Sequence, residues 1–366
     1  MTDLREVFDM VTKQIEPDLD ALREQERRQR RSARNRKMRA MAVAAAIVAA
    51  IALFAATALN RGKDGSAPAT VVPSGSGLDL TVVRLDGSVR LSTRLPAGAM
   101  TPAISPDGTS VAFVILDGPI SRIATMQLGG DAFRIITNDP ASAVRPRWSP
   151  DGSQLVFYRV DPSLSDRGFP VLHLTVMNAD GTSVREIPGT HKPDDLPPDW
   201  SPDGSLILYS AMFMAGGSLY NDLATIPASG GPSHRLTTTD RVDEAGGDWS
   251  PDGRSIAFKR LNGGNWEIWV MNADGTGQHL LAALPHANAE APDWSPDGSK
   301  IAFIGSVGGI NGSGKGHGSV YVVDVATGEI SKIWRGVAIG NLNSIIDARA
   351  TWLPNSDALV VMTGTP

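Results

Sequence analysis

The chain has 366 residues, of which 42% are hydrophobic and 20% charged, so it can bury a large core and is not disordered throughout. It contains no cysteine, which excludes disulfides and thiolate metal sites but leaves the redox compartment open. The net charge is −5, yet residues 1–40 carry +3 and Arg61 and Lys63 add +2, so residues 64–366 carry −10. A body this acidic argues against nonspecific nucleic-acid binding, and we expect no nucleic-acid partner.

Residues 1–39 are predicted to form a cytoplasmic tail. One apolar face at helical spacing runs through residues 3–15, and it consists of Leu4, Val7, Phe8, Val11 and Ile15. Asp3 and Glu6 have the spacing of a capping box, and Pro17 ends the helix. This short helix is a candidate to dock a cytoplasmic partner. The alternative is a helix that lies on the inner membrane surface or is only partly formed, because short isolated helices are marginal in water.

Residues 40–59 are predicted to cross the membrane once. The 20 residues carry no charge, and as a helix they span about 30 Å, roughly one hydrocarbon core. Nine Lys/Arg and two acids lie between Arg23 and Arg39, whereas only Arg61 and Lys63 follow closely. This bias places the N-terminus in the cytoplasm and the rest of the chain outside the cell membrane. A cleaved signal peptide and a buried soluble helix are the alternatives; the long leading region disfavours the first.

Residues 60–78, rich in Gly, Ser and Pro, are predicted to form a flexible linker. A string of five residues, Trp-Ser-Pro-Asp-Gly, then recurs at Trp148–Gly152, Trp200–Gly204, Trp249–Gly253 and Trp294–Gly298. A degenerate copy, Ile104–Gly108, precedes these four, and an eroded copy begins at Trp352. The steps between copies are 44, 52, 49, 45 and 58 residues, a period that suits a propeller blade of four strands.

The copy that begins at Asp248 shows how one repeat builds a blade. Trp249 closes an innermost strand, and Ser250–Gly253 form a tight turn with Gly at positive φ. Residues 255–260 and 266–271 are the next two strands, Asn272–Gly275 is a second turn, and residues 278–281 form the outer strand.

These repeats resemble the TolB-type β-propeller family, which includes the Tol–Pal envelope protein and the propeller domains of prolyl-oligopeptidase-like peptidases. The resemblance covers about residues 79–366 and is specific for fold but weak for activity. The first segment, residues 80–92, offers two outer strands, and the last copy offers two inner ones. We therefore expect an all-β, six-bladed propeller of four-stranded blades, in which strands from both ends of residues 79–366 complete one blade and leave no free edge.

In a propeller, the loops from the outer strand to the next inner strand share one face with those from the second strand to the third. We call this the funnel face, and the longest polar loops of the chain fall there. The candidate ligand-binding residues in or beside these loops are Arg145, His191, Asp194, Asp195, Asp243, Glu244, His286, Glu290, His317 and Asp347. Acids outnumber bases in this set, so a cation or a basic partner surface suits it. The alternative is a solvated rim of turn-forming acids.

No cofactor or metal is expected. Asp199, Asp248 and Asp293 each precede a repeat Trp, and their recurrence is better explained by hydrogen bonds to backbone than by metal binding. Residues 309–315 match seven positions of a phosphate-binding P-loop, but Gly316 stands where the magnesium-binding hydroxyl belongs. The repeat tryptophans are expected to pack between blades.

The sequence favours a membrane-anchored, extracytoplasmic binding module that recognises a protein, peptide or cell-envelope ligand at the funnel face without catalysis. Two alternatives stay open. One is a polysaccharide lyase or hydrolase-like enzyme that uses funnel His and acidic residues. The other is a transmembrane sensor or regulator acting through its tail, a layout similar to membrane-anchored anti-sigma proteins, although residues 1–60 lack His and the chain lacks Cys.

Overall fold

The computed structural model describes residues 78–118, 120–166, 169–190, 193–194, 196–215, 218–307, 317–338 and 349–364. In these residues the regular structure is all β. The strands are β1 (Asp79–Arg84), β2 (Val89–Arg94), β3 (Met100–Ile104), β4 (Ser110–Asp117), β5 (Ile120–Gln127), β6 (Phe133–Ile135), β7 (Ser142–Trp148), β8 (Gln154–Asp166), β9 (Phe169–Asn178), β10 (Arg185–Glu186), β11 (Asp199–Trp200), β12 (Leu206–Ala215), β13 (Ser218–Pro227), β14 (His234–Arg235), β15 (Glu244–Trp249), β16 (Ser255–Asn262), β17 (Asn265–Asn272), β18 (His279–Ala282), β19 (Ala287–Trp294), β20 (Lys300–Val307), β21 (His317–Asp324), β22 (Ile330–Ala338), β23 (Ala350–Trp352) and β24 (Ala358–Thr363).

The strands form a propeller of antiparallel, four-stranded blades. Four separate sheets contain β3–β6, β7–β10, β11–β14 and β15–β18, and we number them blades 1 to 4. A fifth sheet contains eight strands: β19 to β22 pair in sequence, β22 meets β24 through the single pair Val337 and Thr363, and β24 also pairs with β23 and β1. The predicted all-β propeller of four-stranded blades is confirmed.

The two ends of the described chain meet in this eight-stranded sheet. All six residues of β1 pair with β24, from Asp79 opposite Thr363 to Arg84 opposite Ala358. The Thr81 and Thr363 hydroxyls lie 2.7 Å apart and add a side-chain hydrogen bond to this ladder. The predicted pairing of the first strands with the last ones is therefore present, and it covers edges that an open sheet would expose.

Each recurring Trp-Ser-Pro-Asp-Gly string forms the predicted turn between the first and second strands of a blade. In blade 2, the Ser149 hydroxyl donates to Asp151 at 2.6 Å and accepts from the Gln154 amide at 2.9 Å. Gly152 adopts a φ of 70°, the left-handed region that favours glycine. The hydrogen bonds from Ser149 and Ser153 hold the pKa of the Asp151 carboxyl down at about 2.

The core is divided into hydrophobic clusters that lie between neighbouring blades. One cluster joins Val156 and Tyr158 of blade 2 to Trp200 and Tyr209 of blade 3. Trp200, Trp249 and Trp352 are buried, and the partly exposed Trp148 and Trp294 also pack against clusters between neighbouring blades, as predicted. Because each blade contributes to the clusters on both of its sides, the blades are stabilised chiefly by contact with one another.

The turn between the third and fourth strands presses on the preceding blade, and this contact yields a test of the packing. A Cβ added at Gly275, where φ is 88°, would lie 2.3 Å from the Leu236 carbonyl oxygen. The corresponding Gly328 has a φ of 72° but no atom within 4 Å of an added Cβ. We expect Gly328→Ala to cost about 1 kcal/mol, from backbone strain alone. Gly275→Ala should cost at least about 2 kcal/mol, because the backbone must also move. Urea unfolding of both variants checks this, and equal losses would contradict the contact.

Among the residues described, no helix is long and apolar enough to cross a membrane. The predicted cytoplasmic tail (1–39), membrane span (40–59) and most of the linker lie outside the described residues.

Candidate functional site

The structure describes the surroundings of only some of the predicted funnel residues. His191, Asp195 and Asp347 lie outside the described residues, as does the P-loop-like segment 309–315. His317 begins β21. The other six have described surroundings, and these are Arg145, Asp194, Asp243, Glu244, His286 and Glu290.

Two of the predicted acids meet at one asparagine of blade 3. Asn221 donates its side-chain amide to Asp194 at 2.8 Å and its backbone amide to Asp243 at 3.0 Å. Asp194 is partly exposed and Asp243 is buried, with 5% of its surface accessible. The loop before β11 and the start of β15 are thus joined through Asn221, and Asp194 is the carboxylate of this pair that can meet a ligand.

Glu244 lies beside Asp243 but is fully buried. It forms an ion pair with Arg260 on the neighbouring strand β16, and it accepts a hydrogen bond from the Thr239 hydroxyl at 2.9 Å. The Arg260 guanidinium also lies 4.0 Å from the centre of the Trp269 ring. Glu244 therefore has a structural role, because removal of either partner of this ion pair would leave a buried charge uncompensated.

Glu290 is the other accessible acid among the described members of the set. Its side chain is 36% exposed, and a carboxylate oxygen lies 4.0 Å from the Lys259 ammonium of blade 4. Lys259 also lies 4.5 Å from the centre of the Trp266 ring. Glu290, Lys259 and Trp266 therefore form a partly exposed group between β16–β17 and β19, with charged and aromatic surface side by side.

Arg145 and His286 both adopt left-handed backbone conformations, with φ of 59° and 58°. Arg145 is partly exposed at a bulge of β7, where the pairing with β8 shifts between Val144 and Arg147. His286 is exposed in the turn before β19. Strained non-glycine residues often mark functional positions, so both remain candidates.

A second group of ionisable residues lies on the axis at the opposite face, which we call the turn face because it carries the Trp-Ser-Pro-Asp-Gly turns. A cavity of about 240 Å³ opens there. Its lining includes the charged side chains of Arg147, Asp199, Asp248, Asp293 and Arg349. Sequence reasoning noticed the three aspartates but missed both arginines. For Arg147 the sequence did contain a signal, because Arg147 immediately precedes Trp148 just as the aspartates precede their tryptophans.

Each axial aspartate binds the backbone of the next repeat. Asp199 accepts from the Trp249 amide at 3.0 Å, and Asp248 accepts from the Trp294 amide at 2.7 Å. Asp293 accepts from the Trp352 amide at 3.2 Å, and the Trp352 indole donates back to the Asp293 carbonyl at 3.0 Å. The prediction that these aspartates bind backbone is confirmed, with the added finding that the bonds link successive repeats.

Arg349 lies among these carboxylates. Its Nη1 is 3.3 Å from a carboxylate oxygen of Asp248 and 3.3 Å from one of Asp293, and its side chain is 6% exposed. Because Arg349 immediately precedes β23, these ion pairs connect the end of the chain to strands β15 and β19, 101 and 56 residues earlier. Arg349 therefore stabilises the packing of β23 against β15 and β19 around the axis of the propeller.

The axial carboxylates are perturbed by their surroundings. Burial raises the pKa of Asp293 to about 7, the Asp248 carboxylate adds to the rise, and Arg349 opposes it. Burial, reinforced by Asp248, raises the pKa of Asp199 well above its usual range. Burial also raises the pKa of Asp248, against the lowering effect of Arg349. These carboxylates therefore hold protons more tightly in the folded chain than in the unfolded one.

Metal binding finds no support in the described ranges, where no group of three or more His, Cys, Asp or Glu side chains has the geometry to hold an ion. The axial aspartates are instead occupied by backbone amides and by Arg349.

The fold and the repeats define the class of the protein as a β-propeller. The sequence model of the TolB beta propeller domain matches residues 72–312. The chain belongs to this family. Among curated proteins, no sequence matches the chain significantly.

Solved structures show the same fold. A TolB-like protein from Agrobacterium tumefaciens aligns with a TM-score of 0.62 at 20% identity, over 80% of this chain and 100% of that one. TolB from Acinetobacter baumannii aligns with a TM-score of 0.53 at 18% identity, over 71% of this chain and 63% of that one. An oligogalacturonate lyase in complex with manganese aligns with a TM-score of 0.51 at 12% identity, over 75% and 80%. Similarity at these identities establishes fold and leaves function to be argued from the site.

Proposed function

We propose that the protein is a membrane-anchored β-propeller that binds a protein, peptide or cell-envelope ligand at its funnel face, outside the cytoplasm and without catalysis. The observation that carries this proposal is the pair of accessible carboxylates, Asp194 and Glu290, held on that face by neighbours that are themselves fixed. Membership of the TolB propeller family supports a binding role. The negative charge of residues 64–366 favours a ligand with basic groups.

We further propose that the ring has six blades. The eight-stranded sheet then counts as two: blade 5 from β19–β22, and blade 6 from β23, β24, β1 and β2. Two observations support this division. One residue pair links β22 to β24, whereas six pairs link β1 to β24. The hydrophobic core also separates into clusters that fit six interfaces between blades, including one between β20–β21 and β23–β24 and one between β24–β1 and β4–β5.

The anchor is the third part of the proposal. The charge-free stretch 40–59 and its basic flank support a single span, with the tail inside and the propeller outside. The amphipathic pattern of residues 3–15 supports a cytoplasmic contact through which ligand binding is transmitted.

Affinity capture with residues 64–366 tests the funnel face. Asp194→Asn and Glu290→Gln together remove two accessible charges without changing side-chain size, and we expect ligand capture to fall at least about tenfold, or about 1.4 kcal/mol. Glu329→Gln is the matched control, because Glu329 is exposed in the turn between β21 and β22, on the turn face. Equal capture by the parent chain, the double variant and the Glu329→Gln control would contradict a ligand at the funnel face.

A further inference from the structure

The chain enters the propeller on the funnel face. In blades 1 and 3, the second and third strands are joined by hairpins whose last pairs are Asp117 with Ile120 and Ala215 with Ser218. In the sheet that contains both ends, β24 and β1 occupy the second and third positions, and their corresponding pair is Thr363 with Asp79. Asp79 therefore lies at the level of the hairpin ends, so β1 begins on the funnel face.

The length of the predicted linker favours one orientation of the propeller relative to the membrane. Residues 60–78 give 19 residues between the predicted span and β1. A Gly/Ser-rich linker of this length has a root-mean-square reach of about 24 Å. A ten-residue strand such as β12 is about 33 Å long. A propeller whose turn face met the membrane would require the linker to stretch beyond its relaxed reach in order to run back along a whole blade. Stretching reduces the conformational entropy of the linker, so its length favours a funnel face turned toward the bilayer.

Two hairpins carry large apolar side chains outward on that face. Leu116 is 56% exposed beside the end of the β4–β5 hairpin, and Met214 is 51% exposed beside the end of the β12–β13 hairpin. The charge next to Leu116 is compensated, because Asp117 forms an ion pair with Arg122 at 3.0 Å. Behind Met214, the Phe213 and Tyr220 rings stack with centroids 6.3 Å apart and support the tip. Apolar tips on a fixed base suit insertion into a lipid surface.

We propose that the funnel face lies against the bilayer and that Leu116 and Met214 insert into the lipid surface. This rests on the anchor in the proposed function. Both tips belong to blades 1 and 3, whereas Glu290 lies on β19, so the surface beside Glu290 stays accessible for a ligand. Asp194 is held by Asn221, on the same hairpin as Met214, and therefore lies nearer to the lipid surface. That ligand is then one presented close to the membrane.

The absence of cysteine makes a direct test possible, because one introduced thiol can be labelled without background. The full chain is reconstituted into phosphatidylcholine vesicles, whose surface carries no net charge to repel the acidic propeller, and the vesicles contain a nitroxide-labelled lipid. Environment-sensitive fluorophores are attached to Leu116→Cys and Met214→Cys. The controls are Arg254→Cys on the turn face and Val184→Cys on the outer rim, where Val184 is an equally exposed apolar residue at 48%.

We expect the labels at 116 and 214 to lose roughly half of their emission to the nitroxide, since inserted tips lie within about 5–10 Å of the acyl boundary. The labels at 184 and 254 should be unaffected. Flotation of the vesicles separates two failures. Protein that floats but shows equal emission at all four sites overturns this orientation and leaves the anchor intact. Protein that does not float overturns the anchor, and the orientation with it.

Discussion

Replacement of Arg349 by methionine is expected to lower the free energy of unfolding by about 3–5 kcal/mol at neutral pH, the range found when one partner of a buried ion pair is removed. Arg349 is 6% exposed and pairs with both Asp248 and Asp293. Methionine retains much of the side-chain volume but leaves two buried carboxylates facing one another. The measurement is the urea midpoint of residues 64–366 with and without the substitution.

Arg254→Met is the control for Arg349→Met. Arg254 is exposed in a turn of blade 4, and its loss should change stability by no more than about 0.5 kcal/mol. The loss at Arg349 should also shrink as the pH falls toward 5, because the facing aspartates can then take up protons. A loss below about 1 kcal/mol, or one independent of pH, would show that Arg349 does not compensate the axial carboxylates.

Stability itself should fall as the pH rises from about 4.5 to 8. The folded-state pKa of Asp293 is raised to about 7 and that of Asp199 is also raised well above its usual range, so the folded chain binds protons that the unfolded chain has released. The stabilising contribution is complete below the unfolded pKa of about 3.8 and disappears as the pH passes the folded value. Each extra bound proton gives a slope of about 1.4 kcal/mol per pH unit.

The turn aspartates act in the opposite direction. The pKa values of Asp151 and Asp297 are lowered to about 2, so their contribution is present above the unfolded pKa and is lost as the pH falls toward 2. Together, the axial aspartates and the turn aspartates place the maximum of stability at a mildly acidic pH.

Asp293→Asn is the decisive variant for this pH dependence. Its amide oxygen can still accept from Trp352, but it cannot ionise, so the decline above pH 5 should become shallower. Asp297→Asn should leave that alkaline decline unchanged and weaken the acid-side one. Denaturant midpoints measured from pH 2 to 8 check both variants, and an Asp293→Asn curve parallel to that of the parent chain would rule out the axial explanation.

Much of the fold could be predicted because the repeat specifies it locally. Ser, Pro, Asp and Gly at four successive positions define a turn through their own hydrogen bonds, and the spacing of the copies indicates four strands per blade. Residues 80–92 offered two outer strands and the last copy offered two inner ones, which indicated the pairing of β1 with β24. Such patterns need no knowledge of distant contacts.

The surroundings of the site residues could not be predicted in the same way. Asp243 and Glu244 are adjacent acids in a polar loop, and nothing in their spacing indicates that Glu244 is buried against Arg260 while Asp194 stays accessible. Arg349 meets Asp248 across 101 residues through the closure of the sheet, a contact that exists only in three dimensions. The contacts of charged residues depend on tertiary packing more than on local pattern.

The most direct test of a funnel-face binding module is site-specific photo-crosslinking of the full chain in the cells that produce it. A photoreactive amino acid at Glu290 samples the funnel face, and one at Glu329 samples the turn face. The proposed function predicts a discrete crosslinked product from position 290 that disappears when Asp194→Asn is added, and none from position 329. Crosslinking from 329 alone, or from neither position, would contradict a ligand site on the funnel face.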